Sequence, residues 1–408
     1  MKDVFQNSYL TIAAADSPDT TYGMLFPRPS ADSPDVKIEW QDPVTRQKVT
    51  AHLRVDNYEN DGATLNDSRD AYTDGQLGKR AWTLQERLLP CRVLHYTSHQ
   101  LVWECQTMRS WEGSKLVESI DDFLPEMGND IQVIRDINLK PMIRIMKELE
   151  VWGAVAIYRY WYRVLAAYSC RELSYDIDKI SGISGIADQV GQYVQDTLVN
   201  GLWMKDTARG LLWSLRPYPE PRKTTLQVPS WSWASYHGHI SDSLELFGRE
   251  LERNYRFNSL FRIYSEDDAQ IDTRTAKEGI LKITGLCHPA MLHVIDHTKN
   301  KELAGKALLS FEGNPGRMRR VAHLDDPSNF AEEQSQSSYP YLCVQIGIWS
   351  PSPPEDYRTG ELAHFMGLVL ARKTETIYSR VGIFSFAIWQ TGHYIYTSGW
   401  TKCEVQIS

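Results

Sequence analysis

The sequence predicts an α+β protein of more than one lobe, and three observations lead there. At 408 residues the chain exceeds what a single hydrophobic core usually organises. Between 141 and 202 apolar residues recur at three- and four-residue spacing, the period of a helix with one buried face. Beyond Pro229 the pattern changes to short apolar and aromatic runs separated by Gly, Pro and Asp, as antiparallel strands require. The content of 42% hydrophobic and 24% charged residues suits a chain that folds around a core rather than one that stays disordered.

Taken in order, residues 3–14 read as the tail of a helix followed by a short buried strand, Leu10-Thr11-Ile12-Ala13-Ala14. A Pro- and Asp-rich loop covers 16–35. Residues 36–40 and 49–55 then alternate as a hairpin about Asp42-Pro43. Residues 56–79 are acidic and turn-rich, the composition of a surface loop. Trp82 to Leu88 is long enough for one or two helical turns, which Pro90 ends. Residues 92–96 and 101–105 follow as a hairpin turning at Thr97-Ser98-His99-Gln100.

From Pro141 to Glu172 the residues Met142, Ile145, Met146, Leu149, Trp152, Trp161, Val164, Leu165 and Tyr168 predict one long helix. A second is predicted from Asp178 to about Leu202, with Ile180, Ile183, Ile186 and Val190 on one face and Gly182, Gly185 and Gly191 permitting close approach. Strands are predicted at 280–286, 341–349, 365–372, 377–388 and 394–400, with a polar loop at 310–340. The expected organisation is therefore residues 1–110, a helical region at 111–228, and a β-rich lobe of antiparallel strands at 229–408.

A net charge of -8 excludes a surface built to track nucleic-acid phosphates, and Arg317-Met318-Arg319-Arg320 reads as a solvated loop. No run approaches the ~20 apolar residues that cross a bilayer, and the first residues carry no basic-then-apolar leader pattern, so the expectation is a cytoplasmic protein with no membrane partner. The 6 cysteines lack CxxC spacing and are expected as reduced thiols rather than disulfides or zinc ligands. The sequon Asn66-Asp67-Ser68 is accordingly expected to stay unmodified. The 13 tryptophans and 21 tyrosines predict a core of aromatic clusters, since these side chains bury large areas and need partners for their polar atoms.

No nucleophile elbow, P-loop, dinucleotide fingerprint or zincin helix is intact. Gly182-Ile183-Ser184-Gly185 lacks the GxSxG spacing, and no Cys or carboxylate at ligand spacing in the sequence joins His237-Gly238-His239, so neither a metal nor a cofactor is expected. The candidate catalytic residues are Glu86, Glu104 and His95. His95 lies near Cys91 and Cys105 in sequence, as a Cys–His nucleophilic pair requires. Glu86 and Glu104 each interrupt an aromatic, otherwise apolar stretch, and a buried carboxylate needs a partner or a raised pKa. The favoured reading is structural: Arg80, Arg87 or Arg92 forms a bidentate pair that locks helix to hairpin. Asp325-Asp326 and Glu332-Glu333 read as a solvated face of a polar loop.

The block Ala81-Trp82-Thr83-Leu84-Gln85-Glu86-Arg87-Leu88-Leu89 resembles the Gly/Ala-Trp-x-x-Gln-Glu-Arg-x-Leu element of the fungal heterokaryon incompatibility (HET) domain family. Asn7-Ser8-Tyr9-Leu10-Thr11-Ile12-Ala13-Ala14 and Gly23-Met24-Leu25-Phe26 are similar to the elements that precede it. Tyr168-Ser169-Cys170-Arg171, Ser184-Gly185-Ile186-Ala187, Leu211-Leu212-Trp213, Pro229-Ser230-Trp231-Ser232-Trp233 and Tyr378-Ser379-Arg380-Val381-Gly382 resemble elements of the same proteins. The residues the resemblance singles out are Trp82, Gln85, Glu86, Arg87, Trp231 and Trp233. Two opening elements of the family, a Ser-Tyr-Cys-Trp-Gly strand and a Trp-Ile-Asp-x-x-Cys-Ile-x-Gln segment, have no counterpart. The resemblance therefore implies an N-terminally truncated remnant of the α/β HET domain.

It also implies a role in non-self recognition and programmed cell death, exercised through contacts with another HET-family or cell-death protein. Two further readings stay open. One is a cyclase- or dehydratase-type enzyme of fungal secondary metabolism that takes a small apolar molecule into an aromatic pocket; the other is a non-functional truncated homologue.

Overall fold

The computed structural model describes residues 2–25, 36–41, 46, 48–53, 75–98, 101–112, 117–119, 139–140, 142–150, 153–216, 221–241, 260–262, 269–294, 305–311, 320–326, 340–350, 362–389 and 399–408. The sequon at Asn66, the turn at His99, the basic cluster at 317–319, Glu332-Glu333 and most of the strand expected at 394–400 fall outside them. The chain divides into two compact units, Met1–Asp122 with Lys140–Met142, and Phe123–Leu139 with Ile143–Ser408. Helices and antiparallel sheets coexist, so the fold class is α+β.

The first unit begins with α1 (Lys2–Gln6) and β1 (Thr11–Ala14), followed by the separate hairpin of β2 (Val36–Gln41) and β3 (Lys48–Leu53). Next come α2 (Gln76–Lys79) and α3 (Trp82–Leu88). After Pro90 the chain enters β4 (Arg92–Tyr96), β5 (Leu101–Cys105), β6 (Met108–Trp111) and β7 (Val117–Ser119). Five strands form one sheet in the order β1-β4-β5-β6-β7, parallel between β1 and β4 and antiparallel elsewhere. Along β4 and β5 burial alternates strictly, so Val93, His95, Val102 and Glu104 share the inward face.

The second unit opens with α4 (Met142–Glu150), whose first residue is grouped with the first unit, then α5 (Ala154–Ser169) and α6 (Asp178–Val194). The single helix expected over 141–172 is two. Gly153 adopts φ 85, which no helix tolerates, and α5 beyond it is buried on nearly every side, from Ile157 through Tyr162 without a gap. The second helix also ends earlier than expected, at Gln195, whose left-handed φ of 50 turns the chain back. Gly182 lets α6 approach α5, since a Cβ there would lie 2.5 Å from the Tyr168 hydroxyl. That hydroxyl donates to the Lys179 carbonyl at 2.8 Å.

Short paired strands and a helical turn follow: β8 (Leu198–Val199) with β9 (Leu202–Trp203), α7 (Thr207–Gly210), β10 (Ser214–Leu215), β11 (Arg222–Lys223), β12 (Tyr236–His237) and β13 (Ile240–Ser241). Indoles hold this region together. Trp161 meets Trp203 edge-on at 5.4 Å. Trp213 donates to the Trp231 carbonyl, Trp231 to Gly279 and Trp233 to Gly201, at 3.0, 3.1 and 2.7 Å. Trp213, Trp231 and Trp233 thus have partners for their buried N–H groups, whereas the indole N–H groups of Trp161 and Trp203 are enclosed without a hydrogen bond to any described residue.

The remainder is a nine-stranded sheet. Its strands are β14 (Leu260–Arg262), β15 (Gln270–Asp272), β16 (Leu281–Val294), β17 (Lys306–Phe311), β18 (Arg320–Leu324), β19 (Tyr341–Ser350), β20 (Leu362–Arg372), β21 (Ile377–Trp389) and β22 (Thr401–Ile407). The pairings β16-β17-β18-β21-β20-β19-β16 close a ring, so six strands form an antiparallel barrel. Its filled interior includes Ala290, Leu309, Phe311, Ala322, Phe365, Val369 and Phe384. β22 runs along the first half of β16, from Leu281↔Ile407 to Cys287↔Thr401.

Two expectations are overturned here. Cys287 and Cys403 form a disulfide between the neighbouring strands β16 and β22, 116 residues apart in sequence and diagonal in the ladder, where Cys287 faces Thr401 and Cys403 faces Gly285. Cys91, Cys105, Cys170 and Cys343 are not disulfide-bonded. Asp325 is not a solvated loop residue but is 1% exposed and pairs with Arg380 at 3.1 Å. The Arg380 guanidinium lies 3.3 Å above the Trp213 ring and donates to the Trp213 carbonyl at 2.5 Å. Burial outweighs the attraction on both sides of the ion pair, lifting the Asp325 carboxyl to about 6 and lowering Arg380 to about 10.

Gly201 stands at φ 90, and a Cβ there would lie 2.6 Å from the Trp233 ring nitrogen. Gly201→Ala should destabilise the protein by ~2–3 kcal/mol, combining backbone strain with overpacking. Urea unfolding followed by tryptophan fluorescence measures it, and an unchanged midpoint would contradict the packing described.

Candidate functional site

Glu104 is the centre of the best-defined polar cluster in the first unit. The alternation of β5 turns its side chain inward, at zero exposure, in register with Val93 on β4 and with Arg109 on β6. The two-residue turn Gln106-Thr107 between β5 and β6 sets Arg109 directly opposite, on the same face. α3 places Arg87 against that face, and Pro90 fixes where the helix stops.

The contacts saturate the carboxylate. Arg87 grips it bidentately, Nε to Oε2 at 2.8 Å and Nη2 to Oε1 at 2.9 Å. Arg109 adds Nε to Oε1 at 3.2 Å and Nη2 at 3.1 Å, and His95 Nε2 lies 2.8 Å from Oε2. Lys140 completes the surround from behind the helix: its Nζ donates to the Arg87 carbonyl at 2.7 Å and to the Pro90 carbonyl. Those acceptors are at and just beyond the last turn of α3, so a buried cation closes the helix end.

Electrostatics decide the protonation states. Burial alone would raise the Glu104 carboxyl, but the Arg87 guanidinium, the His95 hydrogen bond and Arg109 together hold it well below the usual carboxylate range. Burial lowers His95, and Arg87 and Lys140 add to this against the pull of Glu104. The imidazole is therefore the neutral tautomer whose Nε2–H donates to Glu104. Burial brings Lys140 down to about 8 despite the attraction of Glu104.

Of the residues singled out in the sequence, Arg87, His95 and Glu104 come together. Glu86 lies on the same helix but is half-buried, and burial raises its carboxyl while Arg80 draws it down. Gln85 is buried within α3 and Trp82 is partly covered. Cys105 Sγ bonds to Thr107 Oγ1 at 3.2 Å and the Met108 carbonyl at 3.5 Å. Trp231 and Trp233 serve in the second unit as described above. Sequence reasoning missed Arg109 and Lys140. Arg109 was recoverable from strand alternation across the short turn; Lys140 was not, because 120–138 separate it in sequence from the strands.

In the second unit His237 Nε2 meets Asp176 Oδ1 at 2.7 Å, while Thr225 holds Asp176 Oδ2 through its N–H and hydroxyl at 2.6 and 2.8 Å. His237 is thus engaged by a carboxylate that ties the start of α6 to β12. Among the described residues no group of three or more His, Cys, Asp or Glu could hold a metal ion.

Residues 1–86 match the family described as heterokaryon incompatibility protein (HET). This segment, about a fifth of the chain, is what is similar to the HET family. The match includes α1, β1 and the Trp82-Thr83-Leu84-Gln85-Glu86 stretch of α3, and stops one residue before Arg87. His95, Glu104, Arg109 and Lys140 therefore extend the matched segment structurally rather than lying within it. No curated protein and no solved structure matches the chain. Among the described residues no helix is long and apolar enough to cross a membrane.

Glu104→Gln should lower stability by ~3–5 kcal/mol, because Arg87 and Arg109 keep their charges without the opposing carboxylate. The pH dependence has a definite sign. The folded carboxyl lies below its unfolded value of 4.5, so its stabilisation is present above pH 4.5 and is lost as pH falls through the depressed folded value. Acid titration of the wild type should show a cooperative loss of stability below that pH, with a shallower dependence in the Gln variant. Parallel profiles for the two proteins would contradict this assignment.

Proposed function

We propose that this HET-family chain acts in fungal heterokaryon incompatibility, as part of non-self recognition leading to programmed cell death. It does so in the cytoplasm, through protein contacts rather than bond-making. The observation that carries the reading is the saturation of Glu104. Both oxygens are occupied by fixed donors, the side chain is fully enclosed, and its charge is locked on, so it has neither a proton to give nor a lone pair free to accept one. A carboxylate so held braces a helix against a hairpin.

The matched segment also presents apolar side chains to solvent. Val4, Tyr9, Ile12, Tyr22 and Leu25 are 52–82% exposed, and all fall within the HET match. Such a concentration suits recognition of another protein, for which we name a second HET-family or cell-death protein.

The test is expression in a filamentous fungal host, alone and beside a full-length HET partner. Growth arrest or hyphal lysis is expected with the wild type. Tyr9→Ser combined with Leu25→Ser should abolish it while leaving the melting curve within a few degrees of wild type. Unimpaired growth in both backgrounds at confirmed expression would rule the proposal out.

A further inference from the structure

One end of the barrel holds an aromatic chamber whose walls and filling come from different parts of the chain. The walls belong to barrel strands: His288 on β16, Phe311 on β17, Phe365 on β20, and Phe384 and Phe386 on β21. The filling is Trp400, which precedes β22 and belongs to none of the six ring strands. Its indole meets Phe365 at 4.9 Å, Phe311 and His288 at 5.5 Å and Phe384 at 5.9 Å, edge-on or tilted in each case. The rest of the chamber is already ordered, with Phe365, Phe384 and Phe386 stacked at interplanar angles of 18–30°.

What keeps the indole there is local. Gly399 at φ 86 turns the chain immediately before Trp400, and its backbone passes so close to His288 that a Cβ would lie 2.7 Å from Nε2. Immediately after it, Thr401 and Lys402 are exposed, while the deeper anchors Val405 and Ile407 come later in β22. Between them Cys403 is joined to Cys287, the residue beside His288. The disulfide is thus the cross-link nearest the indole, and it staples the half of β22 that has least buried area of its own.

We propose that this chamber is a latent binding site for a planar aromatic molecule of indole size, occupied by Trp400 while Cys287–Cys403 is oxidised and vacated when a small thiol such as glutathione reduces it. Cys287 is 2% exposed and Cys403 is only partly covered, so the attacking thiolate reaches Cys403 Sγ. A new S–S bond forms there, the old one breaks, and Cys287 leaves as a thiolate that takes up a proton. A second thiol then attacks the mixed disulfide, freeing Cys403 and carrying away the oxidised disulfide of the reductant; two electrons pass in all. With the staple gone, only the ladder pairs of Thr401, Lys402 and Cys403 with Cys287, Leu286 and Gly285 hold this segment; these fray, and residues 400–403 swing about Gly399 while Val405 and Ile407 stay seated, a local opening rather than global unfolding. The five wall side chains need no rearrangement to accept an aromatic ring in place of the indole.

The test uses the full chain purified without reductant, with free indole as the probe. Thiol titration should find four thiols, rising to six after treatment with a phosphine reductant. Saturation-transfer NMR should detect indole binding to the reduced protein and not to the oxidised one. Amide exchange of 401–403 should quicken about tenfold or more on reduction, while 405–407 and α5 keep their rates. Cys403→Ser should bind indole without reductant, and Trp400→Ala should bind it in either redox state. Should either variant fail to fold, the wild-type comparison decides alone. A reduced wild type that neither binds indole nor exchanges faster at 401–403 overturns the proposal, as does a native protein with six titratable thiols or a reduction that melts the whole barrel.

Discussion

A charge removed from water must be given partners at the same moment, and much of the polar architecture of this protein follows from that requirement. Burying Glu104 requires cations at fixed positions, and the sheet and helix supply them from separate elements: Arg109 across the ladder and Arg87 from α3. The last turn of α3 then has carbonyls facing inward, and Lys140 answers those in turn. Each group is enclosed only because the next is in place. The Trp–Gln–Glu–Arg motif is legible in this light as a geometric instruction: seven helical residues, stopped by a proline, that set one guanidinium over one inward strand position.

The second unit solves the same problem with fewer partners. Arg380 has one carboxylate, one carbonyl and one indole face, and both ionised groups are driven toward neutrality by burial. Three sequence elements that had stood apart meet here. Trp213 from Leu-Leu-Trp stacks on Arg380 from Tyr-Ser-Arg-Val-Gly, while Ser230 from Pro-Ser-Trp-Ser-Trp accepts the Arg380 N–H at 2.9 Å and donates to the Ser408 carbonyl at 2.5 Å. A buried ion pair of this kind adds little stability, but it penalises every arrangement in which its members do not meet.

Elements whose reasons are local were readable from the chain. The hairpin of β4 and β5 was visible in its alternation, α3 in its proline stop, and β16, β19, β20 and β21 in their apolar runs, whereas β17 was missed and β18 lies within the stretch 310–340 that reads as a polar loop. A bidentate Arg for a buried Glu was also foreseen, with Arg87 among three choices. What escaped notice depended on long-range closure. Strand propensity does not reveal that six strands join into a ring, so Asp325, which looks polar and loop-like in sequence, was not recognisable as buried. Nor can spacing alone pair Cys287 with Cys403, since only the register of β22 on β16 brings them together. The break at Gly153 escaped for the opposite reason: helical periodicity in the sequence survives a short interruption, so the apolar period carries no mark of the glycine's positive-φ backbone.

The order of synthesis acquires significance from β22. β16 leaves the ribosome more than a hundred residues before the strand that pairs with its first half, the separation of the joined cysteines being 116. During that interval the ring of six strands can close through β16 and β19, but the edge of β16 over 281–287 lacks its β22 partner. Contacts of such high sequence separation make for slow assembly and a nascent state open to wrong pairing. The first half of β16 is therefore the part of the sheet that stays an open edge until β22 is made.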